Sequence, residues 1–118
     1  MNNIQVSENF KLREFQCKDG SHQVVIHSEL LRRLQELRNR VGRPVYINSG
    51  YRNREHNARV GGTPNSYHLR GMAADIRVTG MNPGDLAKAA REVGFRGIGI
   101  YRTFVHVDVR PNRAEWRG

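Results

Sequence analysis

Apolar residues recur at steps of three and four between residues 28 and 41, and mostly arginine and glutamate fill the positions between them. On a helix this spacing gathers the apolar side chains on one face, so the pattern predicts an amphipathic helix from Ser28 to Val41. Ser28 is the predicted N-cap, because its hydroxyl can accept a hydrogen bond from the first turn. Gly42 and Pro44 then prevent the helix from continuing.

A second helix is predicted to begin at Asn82 and to end at Gly94. Asn82 is a favourable cap, Pro83 suits the first helical turn, and the Asp85 carboxylate lies near the positive end of the helix dipole. The alanines of this segment predict a face that packs closely on a neighbouring element.

Three segments rich in β-branched and aromatic residues are predicted strands, namely Val45 to Asn48, Ala73 to Val78 and Phe104 to Val109. Gly97 to Tyr101 is a candidate fourth strand, joined to the last by a hairpin turn at Arg102-Thr103. The stretch from residue 50 to residue 71 is rich in glycine, asparagine and arginine and too polar to form core. Long loops of this kind are usually functional or disordered.

The length of 118 residues suits a single domain, and 37% hydrophobic with 26% charged residues is typical of a soluble globular protein. No segment has the ~20 apolar residues that a membrane-spanning helix needs. The N-terminus shows no secretory signal, so we expect synthesis in the cytoplasm. Cys17 is the only cysteine, which excludes an intrachain disulfide and predicts a small buried side chain.

The 20 lysines and arginines exceed the 11 acidic residues and give a net charge of +9. Such a charge favours encounter with polyanions such as nucleic acid or anionic wall polymers. The cations are spread along the chain, however, whereas nucleic-acid binders more often cluster them with aromatic residues. The charge therefore leaves a basic binding module open without indicating it.

The predicted strand 104–109 carries the candidate chemistry. Its three valines share one face, whereas His106 and Asp108 share the other, where a structural strand rarely needs them. On the strand 73–78, Asp75 likewise lies opposite the core face. If the two strands pair, Asp75 and His106 converge, and His68 can return beside them from the preceding loop. Two histidines and one aspartate suit a zinc site that keeps a fourth position for water.

A family resemblance is carried by two runs, SGYRNREHNARVGGTPNSYHLRGMAADI and GIGIYRTFVHVDVR. Together they resemble the zinc D-Ala-D-Ala carboxypeptidases of peptidase family M15, including the small phage and bacterial members. The resemblance covers Val45 to Arg110, which is more than half of the chain.

The resemblance implies that His68, Asp75 and His106 bind zinc. It further implies that Arg52 grips the terminal carboxylate of the substrate and that Ser66 helps to shape the site. These roles agree with chemistry, since zinc lowers the pKa of its bound water towards ~7 and polarises the scissile carbonyl. A guanidinium can bind a carboxylate through two charge-assisted hydrogen bonds.

The identity of the general base is open. Many larger relatives carry an acidic residue three positions before the last histidine, where this chain has Thr103. Asp108 is the candidate, either as the base or as the partner that orients His106. Tyr101 and Trp116 are candidates for lining a substrate groove. A third possibility is that the site binds zinc but turns over poorly.

The prediction is an α+β fold whose small, mostly antiparallel sheet has helices packed on one side and a zinc cleft on the other. Residues 1–118 are interpreted as one peptidase domain with a family-like core at about 28–110. The predicted reaction is hydrolysis of peptidoglycan stem peptides, either removal of terminal D-Ala or cleavage of a bond such as L-Ala–D-Glu. We expect a monomer that acts at the bacterial cell wall after release, in a phage or prophage lysis context. The alternatives are an inactive zinc-binding interaction domain and a basic module for nucleic acid or wall polymer.

Overall fold

The computed structural model describes residues 2–118, which contain both helices and strands. In chain order the elements are β1 (Gln5–Ser7), β2 (Phe10–Lys11), a 3₁₀ turn (Leu12–Phe15), α1 (Ser28–Val41), β3 (Tyr46–Ser49), α2 (Arg54–Arg59), a second 3₁₀ turn (Tyr67–Arg70), β4 (Ala73–Arg77), α3 (Pro83–Glu92), β5 (Gly97–Ile100), β6 (Val105–Asp108) and β7 (Ala114–Arg117).

A five-stranded sheet in the order β3-β4-β6-β5-β7 organises the fold. Its neighbouring strands are antiparallel except for β5 and β7, which run parallel. Helices α1 and α3 pack their apolar side chains against the valines and isoleucines on one face of this sheet. The α+β class and the mostly antiparallel sheet are thus confirmed. Strands β1 and β2 form a separate two-stranded sheet.

Helix α1 has the predicted bounds, but its N-cap differs from the prediction. The prediction of Ser28 as the cap is wrong, because Ser28 is already the first helical residue. His27 has extended backbone angles and is the cap, and its ring nitrogen Nδ1 accepts a hydrogen bond from the Glu29 amide at 3.2 Å. Gly42 ends the helix in the left-handed conformation at φ 69°, as its position after the helix predicted.

Helix α3 confirms its predicted start. The Asn82 side chain accepts a hydrogen bond from the Asp85 amide at 2.8 Å, and Pro83 is the first helical residue. The helix ends at Glu92, two residues before Gly94. Ala87 and Ala90 are fully buried, which lets α3 pack closely on the sheet and on α1.

Strands β5 and β6 form the predicted hairpin. The Tyr101 amide donates to the Phe104 carbonyl at 3.0 Å, so Arg102 and Thr103 form the turn. The polar stretch 50–71, in contrast, contributes more to the interior than predicted. It forms α2 and the second 3₁₀ turn, and Asn57 and His68 within it are only 3% and 2% exposed.

The core lies between α1, α3 and the sheet, and Leu34 at its centre is fully buried. Replacing Leu34 with alanine is expected to lower the free energy of unfolding by about 2–5 kcal/mol, because the cavity cannot close completely. Urea denaturation measures this loss. Lys88→Ala on the exposed side of α3 is the control and should change it by less than about 0.5 kcal/mol. Equal losses for the two variants would contradict the position of the core.

Cys17 is buried, as predicted, and burial raises the pKa of its thiol. Within residues 2–118, no helix combines the length and the apolar character that crossing a membrane requires.

Candidate metal centre

Three different elements bring His68, Asp75 and His106 together. His68 lies on the second 3₁₀ turn, Asp75 in the middle of β4 and His106 on β6, directly opposite Asp75 in the antiparallel pair. One ligand atom from each side chain lies within 4.8 Å of the other two. The predicted convergence of loop and strands is therefore present on the sheet face that α1 and α3 leave free.

His68 is held in one orientation by the backbone. Its Nδ1 donates a hydrogen bond to the Gly50 carbonyl at 2.7 Å, and the ring is 2% exposed. Because a carbonyl only accepts, Nδ1 carries the hydrogen, and the neutral ring has its lone pair on Nε2. This Nε2 lies 3.3 Å from Oδ1 of Asp75.

In His106 the other ring nitrogen, Nε2, is the one that is held, and its partner is a carboxylate. Its Nε2 donates to Oδ2 of Asp108 at 2.7 Å, so Nδ1 has the lone pair in the neutral ring. That Nδ1 lies 3.2 Å from the same Oδ1 of Asp75. The two histidines consequently present different ring nitrogens to one point.

With neutral imidazoles, three electron-rich atoms converge with no hydrogen between them, an arrangement that only a cation or added protons can stabilise. Burial alone would raise the pKa of Asp75, but the hydrogen bonds that His106 and His68 donate when they carry an added proton outweigh burial and hold that pKa well below its usual range. Burial lowers the pKa of His106, yet its hydrogen bonds with Asp108 and Asp75 produce a net increase. The surroundings thus favour positive charge here, and nitrogen and carboxylate donors fit a zinc ion.

Asp108 lies behind His106 and is fully buried. Besides His106, it accepts hydrogen bonds from Arg110, whose Nε and Nη2 contact the two carboxylate oxygens at 2.8 and 2.6 Å. Burial raises the pKa of Asp108, but the hydrogen bonds from Arg110 and His106 lower it to about 2. Gly97 lies opposite on β5, where a Cβ atom would overlap the Asp108 carboxylate. A glycine is therefore needed at this position.

Replacing Asp108 with asparagine is expected to weaken zinc binding by about 10- to 100-fold, the usual cost of losing a partner that orients a ligand. The amide can still accept from His106 but has lost the charge that makes this hydrogen bond strong. Titration with a chromophoric chelator measures the affinity. Asp85→Asn, an exposed substitution on α3, is the control. Unchanged affinity in Asp108→Asn would show that the carboxylate does not support the metal centre.

A cleft of about 580 Å³ opens above the three ligand residues. The residues predicted for substrate binding, Arg52, Ser66 and Tyr101, all line it. Trp116 also lines the cleft and donates a hydrogen bond from Nε1 to the Tyr101 hydroxyl at 2.9 Å. The complete lining is Arg52, Val60, Gly61, Gly62, Thr63, Asn65, Ser66, Tyr67, His68, Asp75, Tyr101, Phe104, His106, Arg110 and Trp116.

Comparison with known proteins shows that the family model of peptidase M15 matches residues 6–108. The chain belongs to the peptidase M15 family. The match begins within β1, well before the family-like core expected at about residue 28, and it includes most of the small sheet formed by β1 and β2.

The chain is similar to two kinds of peptidase. It is 38% identical over 78 residues to the peptidoglycan L,D-endopeptidase MepK of Escherichia coli K12, an overlap that covers 60% of this chain and 43% of that protein. It is 40% identical over 67 residues to the zinc D-Ala-D-Ala carboxypeptidase of Streptomyces albus G, covering 56% and 26%. A probable MepK of Haemophilus influenzae is 37% identical over 81 residues, covering 63% and 43%. The chain spans less than half of the length of these relatives.

Arg52 contacts Asp75, one of the three candidate metal ligands. Its Nη2 donates to Oδ2 of Asp75 at 3.0 Å, its Nε to Ser49 at 3.1 Å and its Nη1 to Asn57 at 3.3 Å. Arg52 thereby occupies Oδ2 of Asp75 and leaves Oδ1 to face both histidines. Binding of a substrate carboxylate by Arg52 stays a prediction.

Sequence reasoning missed Arg110 and Tyr67, both in the cleft wall. The signal for Arg110 was its spacing in His106-Val107-Asp108-Val109-Arg110, which places an arginine two residues beyond a carboxylate on the same face of an extended segment. Two glycines near the cleft, Gly61 and Gly71, have positive φ, whereas Gly62 does not. At Gly62, a Cβ atom would instead overlap the Asn57 side chain.

Proposed function

We propose that the chain is a zinc-dependent peptidase that hydrolyses stem peptides of peptidoglycan. The observation that carries this proposal is the pair of fixed imidazoles, whose lone pairs meet one carboxylate oxygen beneath an open cleft. Membership of the peptidase M15 family and similarity to a zinc carboxypeptidase and to peptidoglycan endopeptidases support it.

In this proposal His68, Asp75 and His106 hold the metal. Bound zinc supplies Lewis acidity, which activates a water molecule and polarises the carbonyl to be attacked. The Gly50 carbonyl and Asp108 keep the two imidazoles in the tautomers that can bind a cation. Arg52 keeps the second oxygen of Asp75 occupied.

Asp108 is better suited to orient His106 than to act as the general base. It is fully buried, both of its oxygens accept hydrogen bonds from His106 or Arg110, and it does not line the cleft. A base must reach the proton that it removes, directly or through one water molecule. We therefore assign Asp108 the orienting role and leave proton transfer to groups that reach the cleft.

Tyr101 and Ser66 are proposed to contact the substrate. Trp116 Nε1 can only donate, so the Tyr101 hydroxyl accepts from it and keeps its own hydrogen available for a substrate carbonyl. Ser66 lines the cleft two residues before His68, and its hydroxyl accepts a hydrogen bond from the His68 amide at 3.2 Å. It thus shapes both the cleft and the approach to the metal.

Removal of terminal D-Ala is the favoured reaction, because two arginines, Arg52 and Arg110, bring positive charge to the cleft wall and suit a substrate with a free carboxylate. Cleavage of an internal bond, as in an L-Ala–D-Glu endopeptidase, is the alternative. The similarity to MepK supports this alternative. We also propose action at the cell wall as a single-domain monomer, with phage or prophage lysis as the setting.

Digestion of purified peptidoglycan followed by mass spectrometry tests the proposal. The expected product is a stem peptide shortened by one D-Ala, and chelation of zinc should stop its formation. An internal cut would replace the carboxypeptidase by the endopeptidase alternative. If the protein retains zinc yet cuts no peptide, it is an interaction domain. If it holds no zinc and binds only polyanions in a strongly salt-dependent manner, the peptidase proposal is wrong.

A further inference from the structure

Arg110 uses only one edge of its guanidinium inside the protein. Nε and Nη2 donate to the two oxygens of Asp108, which is the side-on arrangement of an arginine and a carboxylate. A guanidinium has five N–H groups, so two on Nη1 and one on Nη2 remain. Within residues 2–118, Nη1 has no hydrogen-bond partner. The end-on edge, with one donor from each terminal nitrogen, is left for another acceptor.

This remaining edge is held rigidly in the cleft wall. The Arg110 guanidinium lies 4.8 Å from the ring centre of Tyr67 and 5.0 Å from that of Trp116, and both rings line the cleft. Contacts of this kind stabilise a cation over an aromatic face. With Asp108 behind it and aromatic rings beside it, the side chain is 20% exposed. Little conformational entropy is left to lose when a ligand binds.

The other arginine of the cleft differs in this respect. All three nitrogens of Arg52 already donate, to Ser49, Asn57 and Asp75, and its side chain is 14% exposed. Each terminal nitrogen keeps one further N–H, but Nη1 is already held by Asn57 and Nη2 by Asp75. A substrate carboxylate at Arg52 would therefore share these nitrogens with Asn57 and with the candidate metal ligand Asp75.

We propose that the end-on edge of Arg110 binds a free carboxylate of the substrate and makes this residue a determinant of substrate specificity. The inference rests on the proposed function in one respect, namely that the cleft receives a peptide. Arg110 then lies between two carboxylates, the buried Asp108 that orients it and the substrate group that it recognises. Two parallel charge-assisted hydrogen bonds also fix the orientation of the bound group relative to the metal centre.

The test compares a carboxylate with its amide. N-acetyl-D-alanine and N-acetyl-D-alaninamide are titrated into the zinc-loaded protein, and binding is followed by NMR. The natural protein should prefer the acid by about 10- to 100-fold, the range expected for hydrogen bonds to a charged group. In Arg110→Gln this preference should fall to within about threefold of unity, whereas binding of the amide should change little. Because no peptide is cleaved, the result is independent of the proposed hydrolysis.

Two further variants separate recognition from structure. Arg110→Lys keeps a positive charge beside Asp108 but lacks the planar fork, so it should retain zinc and still lose most of the preference. Arg102→Gln, an exposed arginine of the hairpin turn outside the cleft, is the matched control and should behave as the natural protein. Zinc content is measured for each variant.

Three outcomes would overturn the proposal. If the natural protein binds acid and amide equally, no carboxylate is recognised. If the preference persists in both Arg110 variants, the carboxylate is bound by the metal ion or by Arg52. Finally, if Arg110→Lys loses its zinc as well as its preference for the acid, the role of Arg110 is structural.

Discussion

Replacing His68 with alanine is expected to abolish zinc binding and to reduce kcat/KM for a D-Ala-terminated peptide by about 1,000-fold or more. The loss is large because the variant removes one of three ligand atoms together with the Lewis acidity of the ion, which contributes several kcal/mol to catalysis. His106→Ala should have the same consequence. Metal analysis of the purified variants and steady-state kinetics measure the two effects.

His22→Asn is the control for these variants. His22 is exposed, lies outside the cleft and has φ 62°, a backbone conformation that asparagine tolerates well. It should keep its zinc and its activity. If His68→Ala or His106→Ala held one zinc ion per chain with the affinity of the natural protein, the proposed ligand set would be wrong.

Gly71→Ala is expected to lower the free energy of unfolding by more than about 4 kcal/mol, which is exceptional for a single methyl group. Gly71 has φ 67°, and a Cβ atom there would overlap the backbone carbonyl of Val25. Backbone cannot move aside as the end of a flexible side chain can. The Gly71 carbonyl also accepts a hydrogen bond from the His27 amide at 2.9 Å, so the clash would disturb the start of α1.

Gly42→Ala is the matched control, because Gly42 has nearly the same φ, 69°, and no atom within 4 Å of its Cβ position. It should lower the free energy of unfolding by only about 1–2 kcal/mol, which is the cost of placing alanine in the left-handed conformation. The difference in free energy of unfolding between the two variants, measured by urea denaturation, therefore gives the cost of the clash with Val25. Equal losses would show that the segment around Val25 moves away freely. Zinc content should fall only in Gly71→Ala, since Gly71 lies between His68 and Asp75 in the chain.

Elements with a local signal were predicted well. The spacing of apolar residues predicted the range of α1, and Asn82 with Pro83 predicted the start of α3. In the strands, alternation alone placed Asp75 and His106 on one face, and their direct pairing brings them together. These features depend on residues near one another in the chain or on a single strand pairing.

Features that depend on distant contacts were not predicted. Strand β7 has only four residues, and it pairs in parallel with β5 after an irregular connection. Trp116 was a candidate for the groove from its residue type alone, and the position of β7 is what brings it to the cleft. The Arg110 side chain likewise has the pattern of an ordinary surface arginine until Asp108, Tyr67 and Trp116 are seen around it. The N-cap was misplaced by one residue because His27 and Ser28 can both accept a hydrogen bond from the first turn.

The chain has a single cysteine and therefore no intrachain disulfide, so an ion shared by His68, Asp75 and His106 would act as a cross-link between the second 3₁₀ turn and two strands. It would close loops of 7 and 31 residues along the chain. A ligand that binds only the folded state adds about 4 kcal/mol at a concentration 1,000-fold above its dissociation constant. The melting temperature should consequently rise with free zinc. Differences in stability between variants then have meaning only at one buffered concentration of the ion.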